Sequence, residues 1–326
     1  MGLDIQNKPG TSGYFFALCS TAIWSGNFII ARGLNQSISP LGLAFWRWCI
    51  ASLAILPFAL PRLKAGWPII KRNFSYLSLT SFLGVTLFNT LIYYAGRSTS
   101  AINLSLISIT FPIFIVLMSR IFFKDPLTLR KCAGIFLVAV GVAVLITKGR
   151  LEKLLHIDFA LGDLLMLLAA LTFASYSILL RRKPKDLESA AFQSATFSIG
   201  TLFLFPLYLF DLKTAAPLAL TPTLGFAILY VSLLASLLAF FMWGKSVESI
   251  GPSKAGVLYY TMPLFSGLWS FLFLGEAIGP PHLASLGCIV PGILIANSRK
   301  KTRRAGPSPR ATPAWPFPRP GRGGNR

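Results

Sequence analysis

Charge is what this sequence most lacks. Only 13% of its 326 residues are charged, and just ten of them are acidic. A soluble domain carries about 25% charged residues, so half that share leaves too little polar surface for a water-exposed fold. Cysteine and histidine are scarce as well. Cys19, Cys49, Cys132 and Cys288 lie far apart, each within an apolar run, which argues against a disulfide framework and against a zinc site. His156 and His282 are isolated, so no metal centre is expected, and no cofactor. Acids are confined to the ends of the apolar runs. That argues against an obligatory carboxylate proton relay and against a site for lipophilic cations. Enzyme chemistry on membrane lipids needs converging His, Asp, Glu or Cys groups, and this composition does not supply them.

What is abundant is hydrophobicity. Apolar residues make up 54% of the chain, the mean hydropathy is +0.65, and the residues fall into runs rather than alternating strands. Ten runs approach the ~20 residues that span a bilayer: 14–32, 41–60, 75–95, 101–123, 131–148, 161–180, 190–210, 224–244, 255–275 and 283–297. The reading is an all-α, polytopic membrane protein. Pro40, Pro61, Pro126, Pro184, Gly251-Pro252 and Gly279-Pro280-Pro281 stand where helices should start or stop. Pro291 and Gly292 are expected to interrupt the last helix. Only Lys8 precedes Tyr14, and no small-residue cleavage site follows the first run, so that run reads as an uncleaved helix.

The formal net charge of +21 resembles that of a nucleic-acid binder, but its distribution does not. Nine of the 31 Lys and Arg lie in residues 299–326, and most of the others sit in short loops. No soluble segment is large enough to form a folded basic face, so no nucleic-acid partner is expected. With the N-terminus inside, the inner loops and Lys8 carry 15 basic residues against six outside. The positive-inside rule then puts both termini in the cytoplasm of a bacterial-type inner membrane, with the basic charge facing anionic lipid.

The two halves resemble each other. Thr110-Phe111-Pro112-Ile113-Phe114 and Thr261-Met262-Pro263-Leu264-Phe265 share one pattern, and Asp125 and Glu276 each follow the proline by 13 residues. Asn103 and Lys254 precede it by nine, so every correspondence shares one offset of 151 residues. Five spans per copy invert the second relative to the first, giving two inverted five-helix repeats. Transporters built this way bind substrate near the midplane between the copies. The expected organisation is a cytoplasmic N-terminus (1–13), a first repeat (14–148), an extracytoplasmic linker (149–160), a second repeat (161–297) and a basic, Pro- and Gly-rich disordered tail (298–326).

Candidate residues follow from the cost of polar groups in hydrocarbon. Pro112 and Pro263 each remove a helical hydrogen bond and free the carbonyl four residues back, Ser108 and Tyr259. They are kinks that either shape packing or line a cavity. Asn27, Asn89 and Asn103 would be unsatisfied if they faced lipid, so they are candidate cavity residues with Trp24, Tyr93, Tyr176 and Tyr260. Membrane serines more often bond their own backbone, and Trp243 reads as an interface anchor. Arg47 lies about two turns below the outer end of the second helix, deep enough to need a partner. Glu276, on the same side, is the candidate for a charged pair or gate. Asp163 opens the sixth helix and fits a helix N-terminal charge.

These residues resemble the EamA family of the drug/metabolite transporter superfamily. The matching stretches are Trp24-Ser25-Gly26-Asn27-Phe28, Ser39-Pro40 with Arg47, Thr99-Ser100-Ala101, Thr110-Phe111-Pro112, and Gly134 with Gly141. The second half adds Gly162-Asp163, Gly251-Pro252-Ser253-Lys254-Ala255, Tyr260-Thr261-Met262-Pro263 and Leu274-Gly275-Glu276. The resemblance implies a ten-helix carrier that moves small metabolites, commonly exporting amino acids and their derivatives, by alternating access. Two departures stand out. Lys124-Asp125 replaces the usual Gly-Glu, and no glycine lies seven residues beyond Gly287. The expected substrate is a small neutral or zwitterionic molecule, since only Arg47 would suit the alternative, a sugar phosphate or nucleotide sugar.

Overall fold

The computed structural model describes residues 11–34, 38–98, 107–108, 110–147, 149–150, 152, 160–213, 221–274 and 279–298. Helices dominate the described residues. They are α1 (Thr11–Leu34), α2 (Pro40–Arg72), α3 (Phe74–Ser98), α4 (Thr110–Phe123), α5 (Leu129–Ile146), α6 (Leu161–Leu180), α7 (Ser189–Asp211), α8 (Pro222–Ile250), α9 (252–274) and α10 (Pro280–Asn297). Five of them, α2, α3, α6, α7 and α8, are each long and apolar enough to cross a membrane. Local chemistry sets several starts. Ser39 Oγ accepts the Gly42 N–H at 2.9 Å, with Pro40 at the first helical position. Thr128 and Thr221 cap α5 and α8 in the same way. Asp163 Oδ2 accepts the Ala160 N–H at 2.8 Å, so this acid does serve the start of α6.

Two expected breaks are not breaks. Pro61 does not end α2, which continues to Arg72 with Pro57, Pro61 and Pro68 inside it. At ~1.5 Å per residue the helix is about 50 Å long, against a hydrocarbon thickness of ~30 Å. The helix exceeds such a core by about 20 Å, and in a segment outside the core water can satisfy the carbonyls that proline leaves free. Arg62, Lys64, Lys71 and Arg72 accordingly ride on helix rather than loop, and only Asn73 separates α2 from α3.

Pro291 and Gly292 likewise leave α10 continuous, because α10 is held against α5. A Cβ on Gly134 would stand 2.5 Å from Gly292 O, and one on Gly292 would stand 2.8 Å from Gly134 O. The two backbones touch through these glycines. The packing glycine of α10 is thus Gly292, which stands 151 residues after Gly141. A Cβ at Gly287 would meet nothing within 4 Å, and the position seven residues beyond it holds Leu294, which is 65% exposed, so no close contact calls for a glycine there.

The helices pair as a twofold arrangement demands. The packed pairs α2–α7, α4–α9 and α5–α10 map onto themselves when each helix is exchanged for its counterpart five helices away. Under the same exchange α1–α8 becomes α6–α3, and α1–α9 becomes α6–α4, and all four pairs are present. The repeat extends to helical irregularity. α3 widens into a π-helical segment at Phe82–Leu87, and α8 does so at Tyr230–Leu238. The Phe88 N–H bonds Leu83 O, and the Ala239 N–H bonds Leu234 O, again 151 residues apart. The chain is an all-helical membrane protein of two inverted five-helix repeats.

Candidate functional site

The π-helical segment of α8 makes the site possible. A π-turn shifts the register of backbone bonding and leaves a carbonyl available to side chains. The Ala239 N–H bonds Leu234 O and Ser236 O, passing over Ala235 O. That oxygen instead accepts the Trp24 indole N–H at 2.8 Å and an Arg47 Nη2 hydrogen at 3.0 Å. One backbone atom of the second repeat thereby fixes two side chains of the first.

Trp24 stands at the centre of an aromatic cluster. Its ring lies 5.6 Å from Phe173, 5.4 Å from Phe240, 5.4 Å from Trp243 and 6.2 Å from Tyr259. Phe173 also stacks on Phe88 at 4.6 Å, and Phe111 stacks on Tyr259 at 5.5 Å. Residues from α1, α3, α4, α6, α8 and α9 meet here, and all these rings are buried. Tyr176 joins the cluster through Phe173 and Phe240. Gly84, in the π-helical segment of α3, gives it room, since a Cβ there would stand 2.2 Å from the Tyr176 ring.

Arg47 is 1% exposed. Besides Ala235 O, its guanidinium donates to Tyr93 OH at 2.8 Å and, through Nε, to Ser236 Oγ. The Ser236 hydroxyl in turn donates to Val231 O. The guanidinium carbon lies 5.3 Å from the centre of the Trp48 ring. No carboxylate among the described residues is within ion-pair distance of Arg47. One helical turn before Tyr93, Asn89 is 3% exposed, and its Nδ2 has no hydrogen-bond partner.

The structure thus brings Trp24, Arg47, Tyr93 and Tyr176 into one connected region and puts Asn89 beside Tyr93 on α3. It sets Tyr260 apart, in a second cluster with Val116, Val138, Val257 and Ile289, while its neighbour Tyr259 takes the place in the aromatic cluster. Asn103, Glu276 and the Asn27 side chain lie outside the described residues. Near the two prolines, Pro112 occupies the first turn of α4, and a 3-10 turn at Tyr259–Thr261 interrupts α9 just before Pro263. Trp243 is no interface anchor. It is fully buried and its indole N–H reaches Ser177 Oγ at 3.1 Å. Ser236, Ala235, Phe173 and Phe240 were not candidates from sequence, and only the common offset to the π-helical segment of α3 marks their neighbourhood.

At one end of the bundle a cavity of about 530 Å³ is lined by Arg62, Lys183, Lys185, Glu188, Lys245 and Glu248, among others. This basic end is stitched by polar contacts. Arg62 pairs with Glu188 at 2.6 Å and Arg181 with Asp125 at 3.1 Å, and Lys131 Nζ reaches Ser253 Oγ at 2.8 Å. Each of the three joins one repeat to the other.

Comparison with known proteins agrees with this architecture. The model of the EamA-like transporter family matches residues 11–147 and 160–298, one match per repeat. An uncharacterized transporter of Archaeoglobus fulgidus is 29% identical over 85% of this chain and 94% of its own length. The uncharacterized transporter YyaM of Bacillus subtilis is 28% identical, covering 87% and 93%. A probable terminal-alkyne amino-acid exporter of Streptantibioticus cattleyicolor is 25% identical over 89% and 95%. A solved crystal structure with 18% identity superposes with a TM-score of 0.71, covering 88% of this chain and 97% of that one, which speaks to the fold alone.

Proposed function

The chain belongs to the EamA-like transporter family, and from that premise we propose that it exports an amino acid or a closely related neutral or zwitterionic metabolite by alternating access. The observation that carries this reading is the convergence of Trp24 and Arg47 on Ala235 O. It joins a buried aromatic cluster to a buried guanidinium at the interface of the two repeats, where such carriers hold their substrate. Aromatic faces suit an ammonium group and an apolar side chain, and hydroxyl and amide groups suit a small polar solute. The relative named as a probable amino-acid exporter points the same way.

In this reading the protein sits in a bacterial-type inner membrane with its basic end and both termini in the cytoplasm, following the charge asymmetry. The ion pairs at the basic end then close the cytoplasmic side and must part in each cycle. The test is counterflow into liposomes holding the purified protein. Separate batches are preloaded with pooled amino acids, pooled sugar phosphates and pooled nucleotide sugars, and a labelled member of each pool is added outside. Accumulation in the amino-acid batch alone is expected. Accumulation only with the phosphorylated pools would replace the substrate class.

A further inference from the structure

Arg47 carries a full positive charge in the interior of a membrane protein, and a buried charge without a counter-ion is costly. Its hydrogen-bond partners among the described residues are all neutral: Ser236 Oγ, Tyr93 OH and Ala235 O. A guanidinium has five N–H groups, so two remain after those three bonds. The groups around it have the same polarity. Tyr93 OH accepts from Arg47, which leaves its own hydrogen to be donated. Asn89 Nδ2, one helical turn away on α3, is buried and has no acceptor. Ala235 O already takes two donors, and Ser236 Oγ is occupied as acceptor and donor. Apart from the oxygen of the Asn89 amide, the unmet capacity of these groups is that of donors, with one uncompensated positive charge.

We propose that Arg47, with Tyr93 and Asn89, is the subsite for the carboxylate of the transported solute. A carboxylate is an acceptor-only anion whose two oxygens match two parallel guanidinium N–H groups. It would supply both the missing acceptors and the missing counter-charge. An amide in its place brings its own donors and no charge. This proposal rests on the transport reading above and adds a specificity rule: solutes that carry a free carboxylate are accepted, and their carboxamides are rejected.

The experiment is counterflow with the full-length protein in liposomes, using the most strongly accumulated labelled amino acid of the pool. Unlabelled amino acid, its carboxamide and its decarboxylated amine serve as competitors. Wild type should prefer the acid to the amide by about tenfold or more, the usual scale for hydrogen bonds to a charged group. In Arg47→Gln and in Asn89→Leu that ratio should shrink toward one. A merely structural Arg47 would lower uptake of every compound together and leave the ratio intact. Tyr93→Phe, which keeps the ring and removes the donated hydrogen, guards against loss of folding and should shrink the ratio less than Arg47→Gln. Equal competition by acid and amide in wild type overturns the carboxylate subsite while leaving amino-acid transport standing. Absence of any amino-acid uptake beside uptake of a phosphorylated pool overturns the transport reading, and this subsite with it.

Discussion

Trp24 and Arg47 share one acceptor. Ala235 O receives the Trp24 indole N–H at 2.8 Å and an Arg47 Nη2 hydrogen at 3.0 Å, so α1 and α2 of one repeat are pinned to a single backbone atom of α8 in the other. The arrangement depends on the π-helical stretch Tyr230–Leu238, where the Ala239 N–H bypasses that oxygen. In a regular α-helix the same donor would occupy it.

Trp24→Phe tests the indole half of this relationship. A ring is kept near Phe173, Phe240 and Trp243, while the donated hydrogen and the second ring of the indole are lost. Because Ala235 O retains Arg47, the expected cost is that of one ordinary hydrogen bond, about 1 kcal/mol, plus that of the small cavity left by the missing ring, about 1–2 kcal/mol. It should appear as a modest fall in the unfolding temperature of the purified protein. A loss as large as that of Trp24→Ala would mean that the hydrogen bond, not the aromatic packing, dominates.

Gly84→Ala tests the fit between the π-helical segment of α3 and the aromatic cluster. The added Cβ would stand 2.2 Å from the Tyr176 ring, and both sides are buried, so the ring must move. Overpacking of this kind typically costs 1–3 kcal/mol. Adding Tyr176→Leu should recover much of the lost stability, and a double-mutant cycle on thermal unfolding measures the recovery. Additive losses would show that the strain is taken up elsewhere.

A good part of this was legible in the residues. Ten apolar runs, the 151-residue offset and Trp24, Arg47, Asn89 and Tyr93 could all be picked out, because hydrophobic length and buried polar groups are local properties. The remainder depends on partners. Proline breaks isolated helices, so Pro61 reads as a helix end and Pro291 as an interruption, yet both helices continue, the second held by contact with α5. Phe173 and Phe240 are two among 27 phenylalanines, and nothing in composition separates a ring at the repeat interface from one facing lipid. Ala235 matters through its carbonyl, which every residue has.

The glycines of α5 and α10 give a contrasting pair of variants. Gly292→Ala would place a Cβ 2.6 Å from Val138 Cγ2 and 2.8 Å from Gly134 O, and one of these contacts is backbone that cannot turn away. It should destabilise the protein by 1–3 kcal/mol, the usual range for overpacking. Gly287→Ala, in the same helix, meets nothing within 4 Å and should be neutral or stabilising by up to about 1 kcal/mol, the difference in helix propensity. Parallel thermal unfolding of the two variants checks both. Equal effects would contradict the α5–α10 contact.

Lys124 holds a left-handed backbone, φ 55°, directly after α4. That conformation costs a residue with a Cβ about 1–2 kcal/mol relative to glycine. Gly275 stands at the equivalent place in the second repeat, 151 residues on. Lys124→Gly should raise the unfolding temperature, offset in part by the greater freedom of glycine in the unfolded chain. A fall would show that the lysine side chain contributes more than its backbone costs.

The ion pairs at the basic end are the last test, and their weakness is the point. Arg181–Asp125 and Arg62–Glu188 both join the two repeats, and their side chains are 23–59% exposed. Exposed pairs are worth only about 0–1 kcal/mol each, so each shifts a two-state equilibrium by at most about fivefold. In the proposed transport cycle a closure built this way can part each time, whereas a buried pair would hold it shut. Asp125→Asn and Glu188→Gln should therefore leave the unfolding temperature nearly unchanged. Each should nevertheless raise, by up to about fivefold, the rate at which a cysteine introduced at Ala190, beside the cavity of the basic end, reacts with a membrane-impermeant thiol reagent applied from that side, on a background with Cys19, Cys49, Cys132 and Cys288 replaced. The charge-swapped pair Asp125→Arg with Arg181→Asp should return the rate toward wild type, because it restores the attraction with reversed sign. If both single variants leave the labelling rate unchanged, the pairs are surface decoration, and closure rests on packing between α2 and α7 and between α4 and α9 instead.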